Sequence, residues 1–386
     1  MAKILVTGQK HLSIPNLPRS SKHKIIRAKP FPTGRYPLKK IWSPFESFDS
    51  WQPSWKQYQV VHSFNSIQYT DKPWFVTCED HTFLYNNPKN NVERRIYNFL
   101  NNRLSLDNCC KIIAISDYAK MRFLRQIAGW QTRDQIMRKV DIIQPNFPLR
   151  ANQPKKYQEN QKLTLTFVGN HLARKGGIVA LRLAKKAEKL KLPIIVNIVS
   201  GLKHGPRVPT DFPDTTKYAE DLKLLDLDNI IHYKNISNEK VIDLLSHSHF
   251  QIMATLHDTY GYSIIEGFSV ATPAITTNVC ALPEFLTHGK NGYFLNLPIN
   301  EIRHWSNWLY DKEKMKTDEY WDTINNTYDD LADQALQQII QFIDRPDKLE
   351  HYESLSAGAL AQFQSFNNSQ TQNDLFDRLY AEAAAS

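Results

Sequence analysis

Long apolar runs are missing from this 386-residue sequence. No stretch approaches the ~20 consecutive apolar residues that cross a bilayer. The N-terminal MAKILVTG is too short in its apolar part, and too polar afterwards, for a signal peptide. No repeat at the spacing of a solenoid protein is present either. Since 41% of the residues are apolar, we expect a globular protein in the cytoplasm, with a peripheral position on the inner face of a membrane left open.

Cysteine is scarce, and its spacing excludes the common sequence patterns of metal sites. The residues are Cys78, Cys109, Cys110 and Cys280, and none forms a CxxC pair. No histidine or cysteine partner lies at the usual spacing of zinc ligands. We therefore predict buried free thiols and no metal site.

Negative charge is scarce in the first 150 residues. They carry 24 Lys and Arg against 10 Asp and Glu, a net charge of +14. The remaining residues carry 24 against 29, or −5, and the two values sum to the net +9. A basic half suggests an anionic membrane surface, nucleic acid or an anionic substrate, although a merely soluble surface is the simpler alternative. No motif of an RNA- or DNA-binding protein is present, so we expect no nucleic-acid partner. The basic cluster consists of Arg19, Lys22, Lys24, Arg27, Lys29, Arg35, Lys39 and Lys40.

Strand and helix patterns alternate along the chain, which predicts an α/β protein with parallel sheets. In the first half we predict strands at 3–7, 25–26, 38–41, 59–64, 75–78, 111–115 and 140–144, and helices at 91–104 and 117–127. In the second half we predict strands at 163–168, 194–199, 230–233, 250–254 and 273–277, and helices at 176–190 and 239–245. The 176–190 pattern places Val179, Leu183, Ala187 and Leu190 on one face. The chain is expected to be helical after Pro298, notably near 332–342 and 372–384.

Four segments follow from these patterns. Residues 1–148 are predicted to form a basic N-terminal domain, and the polar, proline-bearing residues 149–161 a linker. A doubly wound domain is expected at 162–345. Helices at 346–386 are expected to return to the N-terminal domain.

A glycine turn and two cations follow the strand at 163–168. Gly169 ends that strand, Arg174 and Lys175 come next, and Gly176 opens a helix. Free N–H groups at a helix start and a fixed positive charge favour phosphate. The arrangement is not a GxxxxGK[ST] loop, because the lysine precedes its glycine and no hydroxyl follows. Taken alone, the motif is explained slightly better by two solvated basic residues.

Two carboxylates flank the next predicted ligand-binding turn. Asp258 precedes the helix that Gly261 opens, and Glu266 lies within its apolar run. Buried carboxylates are rare without a partner, and sugar hydroxyls are suitable partners. In open parallel sheets, ligands bind beyond the carboxyl ends of the strands, where both groups are expected.

Together these motifs resemble the retaining nucleotide-sugar-dependent glycosyltransferases of family four, also called glycosyl transferases group 1. The family's Gly-Arg-Leu-x-x-x-Lys-Gly is matched by residues 169–176, and its E-x-F-G-x-x-x-x-E by residues 258–266. Its later G-x-P-V-I, P-E and G-x-x-G motifs are matched at 271–275, 283–284 and 289–292. The resemblance covers about residues 110–295. It implies the GT-B fold, with two Rossmann-like domains facing each other across a cleft and a short, divergent N-terminal domain.

The resemblance also implies roles for individual residues. Lys175 and Arg174 would stabilise the donor diphosphate, Glu266 would accept from ribose hydroxyls, and Asp258 would contact the transferred sugar. The remaining donor-binding positions are Gly169, Asn170, the N–H groups of Gly261, Tyr262 and Ser263, and Glu284. A catalytic histidine near the reacting sugar would be His81, with Asp80 and Glu79 as alternatives, whereas His62 is interpreted as structural.

The implied reaction is transfer of a hexose from a nucleoside diphosphate, most often UDP, to a glycan, glycolipid or lipid-linked acceptor. It would need no cofactor and no metal, because cationic side chains take the metal's role. Three positions depart from the family: Asn170 replaces an arginine, Asp258 replaces a glutamate, and the first strand ends Thr7-Gly8-Gln9-Lys10 without paired glycines. These departures motivate the alternative of a catalytically weakened scaffold or sugar-nucleotide-binding protein.

Overall fold

A computed structural model describes residues 1–8, 10–28, 57–79, 88–158, 161–205, 210–309 and 311–385, apart from the side chains of His11 and Leu12. The chain divides into two compact units, residues 1–147 with 366–386, and residues 148–365. The strand predicted at 38–41, the predicted site residues Asp80 and His81, and the basic residues Lys29, Arg35, Lys39 and Lys40 lie outside the described residues. Among the helices that are described, none is long and apolar enough to cross a membrane.

The first unit is built on a six-stranded parallel sheet. Its strands are β1 (Lys3–Gly8), β2 (Lys24–Arg27), β3 (Val60–Phe64), β4 (Trp74–Cys78), β5 (Cys109–Ala114) and β6 (Val140–Ile142). They lie in the order β2-β1-β3-β4-β5-β6. Its helices are α1 (Lys10–Ser13), α2 (Asn91–Asn102), α3 (Asp117–Gln126), α4 (Arg133–Met137) and α11 (Ser369–Ala385), with a 3₁₀ turn at Arg103–Ser105. Ser116 caps α3 by accepting a hydrogen bond from the N–H of Ala119 at 3.0 Å, which satisfies one donor of the first turn.

Helix α11 supplies part of the first unit's core. Its Phe376 and Tyr380 pack with Ile4, Val60 and Phe75 of the sheet. His62 on β3 lies fully buried next to this core. Its Nδ1 lies 2.6 Å from Tyr380 Oη, and its Nε2 lies 2.7 Å from Thr77 Oγ1. His62 therefore joins two strands to the C-terminal helix as a neutral ring.

Acidification should destabilise the first unit through His62. Burial lowers the pKa of His62 to about 3, from 6.5 in the unfolded chain. Between these values only the unfolded chain binds the proton, so the free energy of unfolding falls as the pH falls below 6.5. The loss between pH 7 and pH 5 should be about 2 kcal/mol. Urea unfolding at both values measures it.

The control variants are His62→Gln and His247→Gln, whose native side chain is exposed. His62→Gln should lose most of the pH dependence of the first unit in this interval, and His247→Gln should keep it. Equal pH dependence in wild type and His62→Gln would contradict the assignment.

The second unit also has a six-stranded parallel sheet. Its strands are β7 (Leu163–Val168), β8 (Ile194–Val199), β9 (Ile230–Tyr233), β10 (Phe250–Met253), β11 (Ala274–Thr277) and β12 (Gly292–Leu295). Their order is β12-β11-β10-β7-β8-β9. Its helices are α5 (Gly177–Lys189), α6 (Ala219–Leu222), α7 (Asn238–His247), α8 (Tyr262–Ser269), α9 (Asp318–Ile343) and α10 (Lys348–Phe366). The 3₁₀ turns are Thr215–Tyr218, Lys223–Asp226, Leu282–Glu284 and Lys314–Lys316.

Several sequence predictions need correction in this unit. Strand β12 was not predicted, because it is short. Helices were predicted at 346–386, but α10 belongs to the second unit and only α11 belongs to the first. Leu190 is 55% exposed, since α5 ends at Lys189 before the predicted face is complete. The chain does not become helical directly after Pro298. Residues 299–309 form turns and bends, and α9 begins only at Asp318.

The segment predicted as a linker is packed against the second unit. The N–H groups of Arg150 and Ala151 donate to the carbonyl of Ser269. Lys155 Nζ donates to Leu245 O and Ser248 O, at 2.8 and 2.9 Å, and to Thr272 Oγ1. Leu245 and Ser248 lie at the C-terminal end of α7, where Lys155 satisfies carbonyl groups that have no intrahelical donor, and Thr272 lies between α8 and β11. Residues of this polar segment therefore make hydrogen bonds to the second unit and cap one of its helices.

Candidate functional site

The strand order of the second unit creates a crevice for ligands. Counted from β7, the order is 3-2-1-4-5-6 read from the β9 edge, as in dinucleotide-binding folds. The direction of strand addition reverses between β7 and β10, which pair in parallel. Loops that leave these two strands diverge to opposite faces, so they leave space at the carboxyl edge. The predicted residues of 169–176 and 258–266 follow these two strands.

The loop from β7 to α5 is a closed turn that fixes the position of Lys175. Backbone N–H groups of Lys175, Gly176 and Gly177 donate to the carbonyls of His171, Ala173 and Leu172 at 3.1, 3.0 and 2.7 Å. Gly176 has a φ of +85°, a left-handed conformation that side chains rarely adopt. A Cβ at this position would lie 2.3 Å from the carbonyl carbon and oxygen of Ala254. The glycine therefore lets the start of α5 approach the end of β10.

Lys175 and Asp258 meet at the carboxyl edge of the sheet between β7 and β10. We call this place, where the direction of strand addition reverses, the switch point. Lys175 Nζ donates to Asp258 Oδ2 in an ion pair between the two loops. The side chains are 20% and 8% exposed, respectively. Burial opposes ionisation of Asp258, but the charges of Lys175 and Arg174 outweigh it and hold the pKa of Asp258 below its usual 3.8. The pair is thus charged, and part of the lysine remains open to a ligand.

Arg174 is held by the backbone at the end of β10. Its Nη1 donates to His257 O at 3.3 Å. Thr255 Oγ1 lies 2.6 Å from Arg174 O and 2.9 Å from His257 O, which ties the two loops together again. Asp211 is fully buried, and this burial raises its pKa to about 7 although the Arg174 charge opposes the shift. Sequence patterns did not indicate Thr255 or Asp211, because Arg174, which both of them face, is distant in the chain.

Helix α8 brings its N-terminus and Glu266 to the same edge. Gly261, with a φ of +89°, caps the helix in a left-handed conformation. The first N–H groups of a helix have no intrahelical acceptor, and they carry partial positive charge. Glu266 lies in the second turn of α8, partly buried, and accepts a hydrogen bond from Asn238 Nδ2 at 2.9 Å. Tyr262 and Ser263 are also partly buried.

Glu284 lies in the loop after β11, within the 3₁₀ turn Leu282–Glu284. Its Oε1 accepts from Arg303 Nη1 at 2.8 Å, and its side chain is 8% exposed. The structure thus gives Glu284 a cationic partner that no motif indicated. A positioning role for the loop is consistent with this ion pair, and a direct donor contact stays a prediction.

The other predicted site residues are divided between the two units. Gly169 directly follows β7, and Asn170 is exposed, with its carbonyl accepting from the N–H of Lys203 at 3.0 Å. Glu79 directly follows β4 in the first unit, and its N–H donates to Asn65 Oδ1 at 3.1 Å. Because His81 lies outside the described residues, its catalytic role stays a prediction.

A separate cavity of about 500 Å³ lies on the second unit between α5 and α9. Carboxylates of the cavity pair with part of its cationic lining. Arg182 pairs with Asp221 at 2.7 Å and with Asp329 at 3.2 Å. We place the candidate site at the switch point instead, because the predicted residues of 169–176 and 258–266 follow the two strands that meet there.

The chemistry available at the switch point is that of an anion site. Two cationic side chains and a helix N-terminus converge there, next to carboxylates that can accept from hydroxyls. This combination suits a ligand that carries both a phosphate group and sugar hydroxyls.

Comparisons with known proteins agree with this geometry. Residues 150–323 match the family model of glycosyl transferases group 1, and this segment is a domain of that family. No curated protein is significantly similar to the chain in sequence.

Solved structures similar to this chain are GT-B glycosyltransferases, and the fold of this chain is GT-B, as predicted. The sucrose-phosphate synthase of Thermosynechococcus elongatus has a TM-score of 0.58 at 14% identity, with 100% of both chains covered. A glycosyltransferase from Rickettsia africae has a TM-score of 0.56 at 13% identity, covering 99% of this chain and 98% of that one. The HepE protein of Anabaena, in complex with UDP and glucose, has a TM-score of 0.55 at 12% identity, covering 93% and 86%.

Proposed function

We propose that the protein is a retaining hexosyltransferase that uses a nucleoside-diphosphate sugar, with UDP as the expected nucleotide. The observation that carries the proposal is the Lys175–Asp258 ion pair at the switch point of a glycosyl transferases group 1 domain. The similar HepE structures, in complex with UDP and with UDP-glucose, support the choice of nucleotide.

Donor binding is assigned to the loop before α5, the loop before α8 and helix α8 itself. Lys175 and Arg174 hold the diphosphate, together with the N–H groups of Gly261, Tyr262 and Ser263 at the start of α8. Glu266 accepts hydrogen bonds from the ribose hydroxyls. Asp258 keeps Lys175 in place and accepts from a hydroxyl of the transferred sugar.

Catalysis rests on stabilising the leaving group. The bond between C1 and the phosphate oxygen breaks, and its electron pair leaves with the diphosphate. The acceptor hydroxyl attacks C1 from the same face and passes its proton to that phosphate oxygen. Lys175 and Arg174 stabilise the charge that develops on the diphosphate. Asp258 and Glu266 bind hydroxyls and do not serve as an acid and base pair, unlike the carboxylates of glycoside hydrolases.

Loss of Glu266 should abolish nucleotide recognition. A ligand at 100 times its dissociation constant adds about 2.7 kcal/mol to the stability of the folded state. We expect UDP or a UDP-sugar to raise the melting temperature of the wild type without added metal, and GDP and ADP to have no effect. Glu266→Ala should lose this shift, because the ribose hydroxyls lose their acceptor. Thermal-shift measurements with each nucleotide test this.

The matched control is Glu188→Ala, which removes an exposed carboxylate near the end of α5. This variant should keep the full shift. If no nucleotide shifts the wild type, the alternative of a catalytically weakened scaffold is favoured, and Asn170→Arg becomes the first variant to examine for restored binding.

The first unit is proposed to bind the acceptor, a glycan or lipid-linked saccharide, beside an anionic membrane surface. Of the basic cluster, Arg19, Lys22, Lys24 and Arg27 are described and exposed. Arg19 also donates to Asn146, and Arg27 donates to Ser13 at 2.7 Å, so these two have structural contacts as well. Lys22 and Lys24 are therefore the test positions.

Reversing both lysine charges should weaken membrane binding. Each cation near an anionic bilayer contributes about 1 kcal/mol, so Lys22→Glu/Lys24→Glu should lower affinity for phosphatidylserine vesicles at least about 30-fold. Vesicle flotation at physiological salt measures this. The control, Lys185→Glu/Lys189→Glu on α5, has the same charge change and should bind like the wild type. Absence of wild-type binding would remove the membrane from the proposal.

A further inference from the structure

Three potential metal ligands meet beside the candidate donor site, although they are distant in sequence. His257 follows β10, Cys280 follows β11, and His304 lies in the turns before α9. One possible ligand atom from each residue lies within 4.8 Å of the other two. Strands β10 and β11 are parallel neighbours, so the loops at their carboxyl ends are brought to the same edge.

The backbone holds these side chains in a defined arrangement. The N–H of Cys280 donates to the carbonyl of Arg303 at 2.8 Å, next to His304. The N–H of His304 donates to Asn300 Oδ1 at 3.0 Å. Cys280 and Arg303 both have a positive φ, 53° and 56°. The structure therefore keeps two ordinary residues in an unfavourable conformation, which brings the thiol and the imidazole together.

The three candidate ligands are shielded from solvent to different degrees. Cys280 is fully buried, His304 is 1% exposed, and His257 is partly buried. Trp308 packs against both rings, at 4.4 Å from His257 and 4.5 Å from His304 between ring centroids. Because Trp308 packs against both histidine rings, we expect an ion to enter beside His257, the more exposed of the two histidines.

We propose that His257, Cys280 and His304 bind a zinc ion. One thiolate and two imidazoles form a donor set that zinc accepts in tetrahedral geometry. Tetrahedral zinc places its ligand atoms about 3.5 Å apart, so side-chain movements of about 1 Å complete the coordination. In the part of the chain that the structure describes, no fourth acidic, histidine or cysteine side chain joins this group. A water molecule therefore takes the fourth position.

The ion would connect the two loops that carry predicted donor-site residues. His257 precedes Asp258, and its carbonyl accepts from Arg174. Cys280 lies four residues before Glu284, and its carbonyl lies 3.4 Å from Arg303 Nη1. The zinc would thus connect these two loops, whereas stabilisation of the diphosphate charge stays assigned to Lys175 and Arg174.

Metal content and cobalt spectroscopy test the proposal. The full chain is purified without chelator from zinc-supplemented medium, and bound metal is measured by mass spectrometry. We expect about one zinc ion per wild-type chain, and about a tenth of that or less in Cys280→Ser. The zinc-free protein should take up Co²⁺ with a thiolate-to-cobalt charge-transfer band that Cys280→Ser lacks.

Two controls separate the site from other thiols and histidines. Cys110→Ser removes a partly buried thiol of the first unit, and His247→Gln removes an exposed imidazole of α7. Both should keep wild-type zinc content. His257→Gln, at a partly buried position, provides a second site variant in case Cys280→Ser does not fold, and it should also lose zinc. Equal zinc content in wild type and His257→Gln, or a cobalt spectrum without the thiolate band, would overturn the proposal.

Discussion

Lys175→Ala should lower the turnover number of glycosyl transfer at least about 100-fold. Removing one preorganised charge that stabilises a developing anion costs about 10²–10³ in turnover number, and Lys175 is the cation fixed at the switch point. The effect should appear mainly in the turnover number, because the charge on the diphosphate grows as the C1–O bond breaks. Donor hydrolysis without an acceptor provides the rate measurement before the acceptor is known.

Two further variants separate catalysis from folding. Lys175→Ala leaves the carboxylate of Asp258, which is 8% exposed, without its lysine partner, so this variant should also be less stable. Adding Asp258→Ala should recover part of that stability and none of the activity. Lys189→Ala, at the other end of α5, should retain wild-type activity. An unchanged turnover number in Lys175→Ala would refute the electrostatic account.

Gly176→Ala should destabilise the second unit by about 3 kcal/mol or more. A left-handed residue with a side chain costs about 1–2 kcal/mol, and the clash with the backbone of Ala254 adds a packing cost. The backbone at Ala254 directly follows β10 and cannot move aside as a side chain could. Urea unfolding, combined with amide hydrogen exchange of β7 and β10 peptides, measures the loss in this unit.

Two glycines provide matched controls. They separate the cost of the left-handed backbone from the cost of the clash with the backbone of Ala254. Gly289 has a φ of +73°, but no atom lies within 4 Å of the position that an alanine methyl group would take, so Gly289→Ala should cost about 1 kcal/mol. Gly129 has neither a positive φ nor a close neighbour, so Gly129→Ala should change stability by less than about 0.5 kcal/mol. The expected order is Gly176 first, Gly289 second and Gly129 last. A Gly176→Ala variant as stable as Gly129→Ala would show that the approach of α5 to β10 is not required.

Local patterns predicted most elements of both sheets. Buried strands such as 163–168 and 194–199 are short apolar runs between turn residues. The residues of the run itself therefore indicate a strand. Helix α5 was predicted with its core face from Val179, Leu183 and Ala187, whereas Leu190 fell beyond the helix end. A short element such as β12 depends on tertiary packing, so no local signal indicated it. Helices were predicted at 346–386, but the packing of α10 with the second unit was decided by the tertiary structure.

For the candidate site, the sequence by itself determined the residue types and their places at strand ends and helix starts. Lys175, Asp258 and Glu266 were recognisable because each lies within a contiguous motif next to a strand. The tertiary structure alone decided which of these residues meet. The reversal of strand order between β7 and β10 pairs Lys175 with Asp258, although 83 residues separate them.

The same reasoning explains the partners that no motif indicated. Asn238 contacts Glu266, Arg303 contacts Glu284, and His257 lies beside Cys280 and His304 only because parallel strands end at one edge of the sheet. From the spacing of cysteine and histidine residues along the chain we predicted no metal site. Such spacing patterns detect only ligands that share one turn or loop. A sheet brings its strand ends together regardless of their separation in sequence, which is the physical reason that these contacts appear only in the fold.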